Sequence, residues 1–191
     1  MDNTRTDISV YDLVSRPDAF QHRQSNAFKF MVFGLENLVD PKTGEPIPNA
    51  SDILKQATFT GQVPSFSQAP IEIRVGNTVM KAAGTPTFAD TTIQLHDYVG
   101  VDTYNVLYAW QTLQYNSKTG RVGLASEYKK DAYLLEYTTD FSKVTNLWKL
   151  HGVWIQSLSK DGYDNSQTAS DVKISCQLTY DWAEPEDPNQ I

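Results

Sequence analysis

Cysteine is almost missing from this 191-residue chain: Cys176 stands alone, so no intrachain disulfide can form and a disulfide-stapled secreted domain is excluded. Long apolar runs are missing too. No stretch approaches the roughly 18 consecutive apolar residues of a membrane helix. The opening Met1-Asp2-Asn3-Thr4-Arg5 lacks a basic segment followed by an apolar core. The sequence therefore predicts a soluble protein made without an export signal and with no membrane partner. Positive charge is scarce: 16 Lys and Arg stand against 23 Asp and Glu, for a net charge of -7. Proteins that grip nucleic acid cluster Lys and Arg to neutralise phosphates, so this balance argues against such a role.

The residues that carry chemistry are equally thin. His22, His96 and His151 have no paired metal-ligand spacing, and no second cysteine stands near any of them. No G-x-S-x-G, P-loop or G-x-G-x-x-G occurs. His96 beside Asp97 is the best polar handle for an enzyme or a ligand pocket, yet a lone histidine on the wet face of a strand is the plainer reading. Cys176 falls in the apolar row of its strand, where a thiol packs as a small hydrophobe. Asn49-Ala50-Ser51 matches the glycosylation tripeptide by spacing alone. Lys129-Lys130 reads as a solvated turn. The expectation is no catalytic residue, no metal and no cofactor.

What the chain does have is enough apolar and aromatic residue, 40% and 12%, to bury a core. Alternation dominates its pattern. Val172, Ile174, Cys176, Leu178 and Tyr180 oppose Lys173, Ser175, Gln177 and Thr179, so one face is dry and one wet. Ile71, Ile73 and Val75 likewise oppose Glu72 and Arg74, and Ile93 and Leu95 oppose Thr92, Gln94 and His96. Phe28 to Phe33 and residues 127 to 138 and 143 to 156 read as further strands. One segment departs from this: residues 102 to 115 open on Asp102-Thr103 and space Val106, Leu107, Trp110 and Leu113 as an amphipathic helix. Residues 1 to 27 read as a polar arm, 36 to 54 as a long loop with Pro41, Pro46 and Pro48, and 181 to 191 as an acidic tail. The expected fold is a single mainly β domain over 1 to 191: two packed antiparallel sheets, a sandwich or small barrel, with one flanking helix.

The order of features adds a family resemblance. Phe28-Lys29-Phe30-Met31-Val32-Phe33 is followed by Ala57-Thr58-Phe59-Thr60-Gly61-Gln62-Val63-Pro64-Ser65-Phe66 and by Ile71-Glu72-Ile73-Arg74. Then come Phe88-Ala89-Asp90-Thr91-Thr92-Ile93-Gln94-Leu95, the helix around Trp110, and Tyr128-Lys129-Lys130-Asp131-Ala132. Trp148-Lys149-Leu150-His151-Gly152-Val153-Trp154 and a last strand ending Leu178-Thr179-Tyr180-Asp181 close the series. In this order, over roughly residues 27 to 182, the chain resembles the tail tube proteins of contractile-tailed (T4-like) bacteriophages and, more distantly, the Hcp proteins of type VI secretion.

The resemblance implies orthogonally packed sheets, hexameric rings whose inner sheets join into one barrel, and rings stacked into a hollow tube for genome ejection. It implies the tail sheath, tape-measure and baseplate proteins as partners, double-stranded DNA passing without specific binding, synthesis in the host cytoplasm, and residence in the virion. Strands among residues 56 to 76, 91 to 97 and 172 to 180 are expected to form the inner sheet. Glu72, Arg74, Thr92, Gln94, Lys173, Ser175, Gln177 and Thr179 are then candidates for the lumen. The 36 to 54 loop, with Asp40, Lys42, Glu45 and Ile47, is the candidate ring-to-ring contact, together with the N-terminal arm. Two other readings remain: a tube-initiating baseplate or terminator protein of the same fold, and a small-molecule-binding β-barrel using His96 and Asp97.

Overall fold

The computed structural model describes residues 23–163 and 171–188. The expected N-terminal arm therefore lies outside the described residues except for its last few. In chain order the strands are β1 (Phe28–Val32), β2 (Thr58–Thr60), β3 (Phe66–Val75), β4 (Thr78–Phe88), β5 (Thr91–His96), β6 (Tyr115–Asn116), β7 (Arg121–Val122), β8 (Lys130–Tyr137), β9 (Val144–Lys160), β10 (Lys173–Thr179) and β11 (Trp182–Glu186). The helices are α1 (Ala50–Ala57), α2 (Thr103–Thr112) and the single turn α3 (Ala125–Tyr128).

Seven strands form one antiparallel system in the order β1-β8-β9-β10-β5-β2, with β11 also on β9. The long strand β9 divides it. Residues up to Val153 pair with β8, and Leu147 to His151 also pair with β11, while Trp154 to Lys160 pair with β10. Between the halves Gly152 adopts φ 67°, which a glycine reaches without strain and which lets the strand pass from one sheet to the other. The first sheet is thus β1-β8-β9-β11 and the second is β9-β10-β5-β2, folded over a shared core in a nearly closed barrel. The expected two-sheet architecture is present.

Alternation explains the core. Phe30 and Val32 from β1, Ile93 and Leu95 from β5, and Ile174, Cys176 and Leu178 from β10 all point inward and are buried. Helix α2 covers one end. Asp102 caps it, its Oδ1 accepting the Asn105 amide at 2.9 Å, and the buried Trp110 donates its indole N–H to the Tyr128 carbonyl at 2.8 Å.

Four expectations need correction. Residues 36 to 54 are not one loop: α1 begins at Ala50, just past the last of the three prolines, and buries Ala50, Leu54 and Ala57 on one face. Leu35 and Leu38 are core residues as well. The flanking helix is therefore accompanied by two others among the described residues. The acidic tail is not merely solvated, because β11 docks on β9 with His151 Nε2 to Glu184 at 3.0 Å and Lys149 to Glu186 at 3.3 Å across the strands, while Asp181 just before β11 pairs with Lys129 just before β8 at 2.7 Å. Finally, the strand over 71 to 75 does not belong to the sheet that holds β5 and β10. It pairs with β4, a strand the sequence reading did not anticipate, in a separate hairpin.

Candidate assembly surfaces

The second sheet has an open, polar outer face. The register sets Gln94 opposite Ser175 opposite Ser159, and Thr92 opposite Gln177 opposite Ser157. In antiparallel pairs directly opposed residues share a face. Of the eight candidate lumen residues, Thr92, Gln94, Lys173, Ser175, Gln177 and Thr179 are brought together here. Glu72 and Arg74 are not; they sit on the separate hairpin.

The middle of this face is made of hydroxyls and amides that bind one another. Ser157 Oγ lies 3.3 Å from Gln177 Oε1, Ser159 Oγ donates to the Ser175 carbonyl at 3.4 Å, and Thr179 Oγ1 donates to Gln156 Oε1 at 3.3 Å. Ionic groups stand at its margins. Lys173 lies over the Phe59 ring at one end, and Asp90 accepts from the Gln177 amide at 3.4 Å near the other. Ser157 and Ser159 were missed from sequence because the strand was expected to end at 156, and Gln156, its last expected residue, was assigned to no face. The alternation Ser157-Leu158-Ser159 was the available signal, and a bulge at Gln177 and Leu178 leaves both Gln156 and Ser157 exposed.

His96 and Asp97 do not work together. His96 Nδ1 pairs with Asp171 at 2.8 Å and its ring stacks on Phe59 at 4.1 Å, while Asp97 is taken by Lys160. The Asp97 carboxylate, with Tyr163, holds the Lys160 ammonium well above its usual range. The polar handle that a ligand-binding barrel would need is thereby dispersed into separate contacts.

The second feature is the β3–β4 hairpin. Its strands span ten and eleven residues, or about 30 Å at the usual strand rise. Gly76 at φ 62° followed by Asn77 makes a two-residue turn with glycine in its first central position. From Phe66 to Thr87 every residue except the half-buried Gly84 is exposed. Register divides the ribbon into two unlike faces. Ile71 opposes Ala82, Ile73 opposes Met80, and Val75 opposes Thr78, giving an apolar face; Glu72 opposes Lys81, and Arg74 opposes Val79, on the other. Ile73 is 50% exposed and Met80 59%. At the root, Phe66 and Phe88 touch at 5.6 Å, and Phe88 packs on Tyr180 at 5.9 Å.

The four candidate residues of the 36 to 54 region separate. Asp40 is turned into its own turn, where the Lys42 amide donates to its carboxylate at 2.7 Å and holds it below the usual range. Ile47 packs against the core. Lys42 and Glu45 are exposed, although Lys42 also reaches Asp102 at 3.3 Å.

The mainly β, two-sheet body with its separate β3–β4 ribbon has a fold shared with tube and tube-terminating components of contractile systems. No protein-family model and no curated protein matches the sequence. Among solved structures, the chain is similar to a chain of the sheath–tube complex of an extracellular contractile injection system (PVC) in its extended state. That match has a TM-score of 0.61 and 17% identity, and covers 93% of this chain and 97% of the other. It is similar to the tube-terminating cap of the anti-feeding prophage (AFP) at a TM-score of 0.61 and 16% identity, covering 97% and 99%. The sheath/tube terminator of the PVC system matches at 0.59 and 16%, covering 86% and 96%.

Proposed function

We propose that this chain is a structural subunit that polymerises with copies of itself into the hollow tube of a contractile tail or injection device. Six copies form a ring through their second sheets, rings stack through the hairpin, and the polar sheet face lines the channel. The observation that carries this reading is the β3–β4 hairpin. A two-stranded ribbon is marginal by itself in water, and one with Ile71, Ile73, Val75 and Met80 on an uncovered face is stable only against a partner.

The second sheet supports the ring. Among the described residues, the outer edge of Trp154 to Lys160 has no strand on it, and such an edge invites pairing with a neighbouring chain. Closing six sheets into a barrel removes those edges. The hydroxyl and amide face gives a passing polymer no aromatic platform to stack on, so double-stranded DNA would slide without adhering. The exposed Lys42 and Glu45 are further proposed contacts between rings. A sheath outside, a tape-measure protein inside and a baseplate at the end are the partners this role calls for, and the virion is its place in a phage.

A second reading, a terminator or initiator of the same fold, is favoured by the likeness to the AFP cap. Sedimentation across a concentration series tests the proposal. Growth into large species by the wild-type protein, abolished by Ile73→Asp without loss of the folded circular dichroism spectrum, supports polymerisation through the hairpin. Equal growth in both proteins contradicts it.

A further inference from the structure

Among the described residues β11 is the outermost strand on its side of the first sheet, and little apolar surface holds it there. Ala183 packs against the core, while Trp182, Glu184 and Pro185 are exposed. Beyond the backbone ladder, its hold on β9 is ionic and aromatic. The His151 side chain is 17% exposed, and its ring stacks on Trp182 at 4.6 Å. Its Nε2 lies 3.0 Å from Glu184 on β11, and its Nδ1 lies 3.7 Å from Asp131 on β8. Lys149 and Glu186 pair beside it across the same two strands, and Asp181, at the corner before β11, is taken by Lys129. His151 thus faces a carboxylate from each neighbouring strand, while the cations close by are already paired.

We propose that β11 is a removable edge strap, latched by protonated His151 and loosened as the pH rises. A neutral imidazole donates from one nitrogen, so one of its two acids meets a lone pair; the imidazolium donates from both. A cationic ring also stacks better on the Trp182 face. The docked strand therefore holds the proton more tightly than the released one. Its added stability is present below the ordinary imidazole range, about pH 6.5, and is lost above it. Of the paired groups here, histidine is the one whose ordinary charge change falls between pH 5 and 8. The strap also guards an edge. β11 presents Pro185, which lacks an N–H, and two glutamates, features that resist further pairing. Its release bares the β9 backbone from Leu147 to His151, where an extended segment of another chain can pair. The latch is independent of the tube reading above, since every contact in it lies within one chain.

Hydrogen exchange of the full chain at about pH 5.5 and about pH 8, corrected for the intrinsic chemical rate, tests the latch. Residues 182 to 186 are expected to lose about tenfold in protection at the higher pH, while residues 173 to 179 of β10 keep theirs. His151→Gln, which keeps a donor but cannot be charged, is expected to show the lower protection at both pH values. His151→Arg, charged throughout, is expected to show the higher protection at both. Unchanged protection of β10 in each variant shows that it folds. Equal protection of residues 182 to 186 at the two pH values in the wild-type protein overturns the latch. The same pH response in His151→Gln as in wild type overturns it too.

Discussion

Gly152 and Asp181 meet back to back where β9 crosses between the two sheets: a Cβ placed on Gly152 would lie 2.3 Å from Asp181 Oδ2. The same glycine has φ 67°, and the Asp181 amide donates to the neighbouring His151 carbonyl at 2.9 Å. Asp181 is held from its other side by Lys129. The corner of the sandwich thus depends on one missing side chain.

Gly152→Ala is expected to destabilise the fold by about 1–3 kcal/mol from the backbone conformation alone, with a further loss if Asp181 is driven off Lys129. Chemical denaturation measures it. A midpoint equal to wild type would mean that the corner is free to move.

Burial pushes the Cys176 thiol up to about 12, so almost none of it is thiolate at neutral pH. The native protein is expected to resist a thiol-specific reagent at pH 8 and to react fully once unfolded in denaturant. Prompt labelling of the folded protein would show that the β10 row opens readily.

Gln177 and Thr179 lie half-buried on the polar face of β10, away from the core. In a phage that carries DNA through this tube, Gln177→Lys with Thr179→Lys is expected to preserve tube assembly and to slow ejection, because each ring then holds added positive charge against the phosphates. Ejection at the wild-type rate would remove this face from the channel.

The regular parts of the fold were legible because their burial is local. The alternation from Val172 to Tyr180 gave β10 with its buried and open faces, and the spacing around Trp110 gave α2. What stayed hidden depends on distant partners or on weak local signals. Strand β4 contains Ala82, Ala83, Gly84 and Pro86, residues poor in strand preference, and it forms because Ile71 to Val75 pair with it across the Gly76-Asn77 turn. Strand β11 carries Pro185 and acids that read as a loose tail until Lys149, His151 and Lys129 are seen beside them. The prolines at 41, 46 and 48 obscured α1, which begins only after the last of them.

The candidate channel face was legible in the same measure. Six of its residues share the strands β5 and β10, whose pattern is strong. Glu72 and Arg74 were grouped with them because Ile71, Ile73 and Val75 alternate as a buried row would, yet in this chain that row is exposed. Period-two alternation records that one face avoids water; it does not record whether the cover comes from the same chain or another.

The central claim is polymerisation into a hollow tube, and negative-stain electron microscopy of the concentrated, purified protein tests it most directly. The account expects rings or hollow tubes of uniform diameter, shortened or lost in Ile73→Asp. Monomers at every concentration, with a folded spectrum and with baseplate components present as a template, would contradict it.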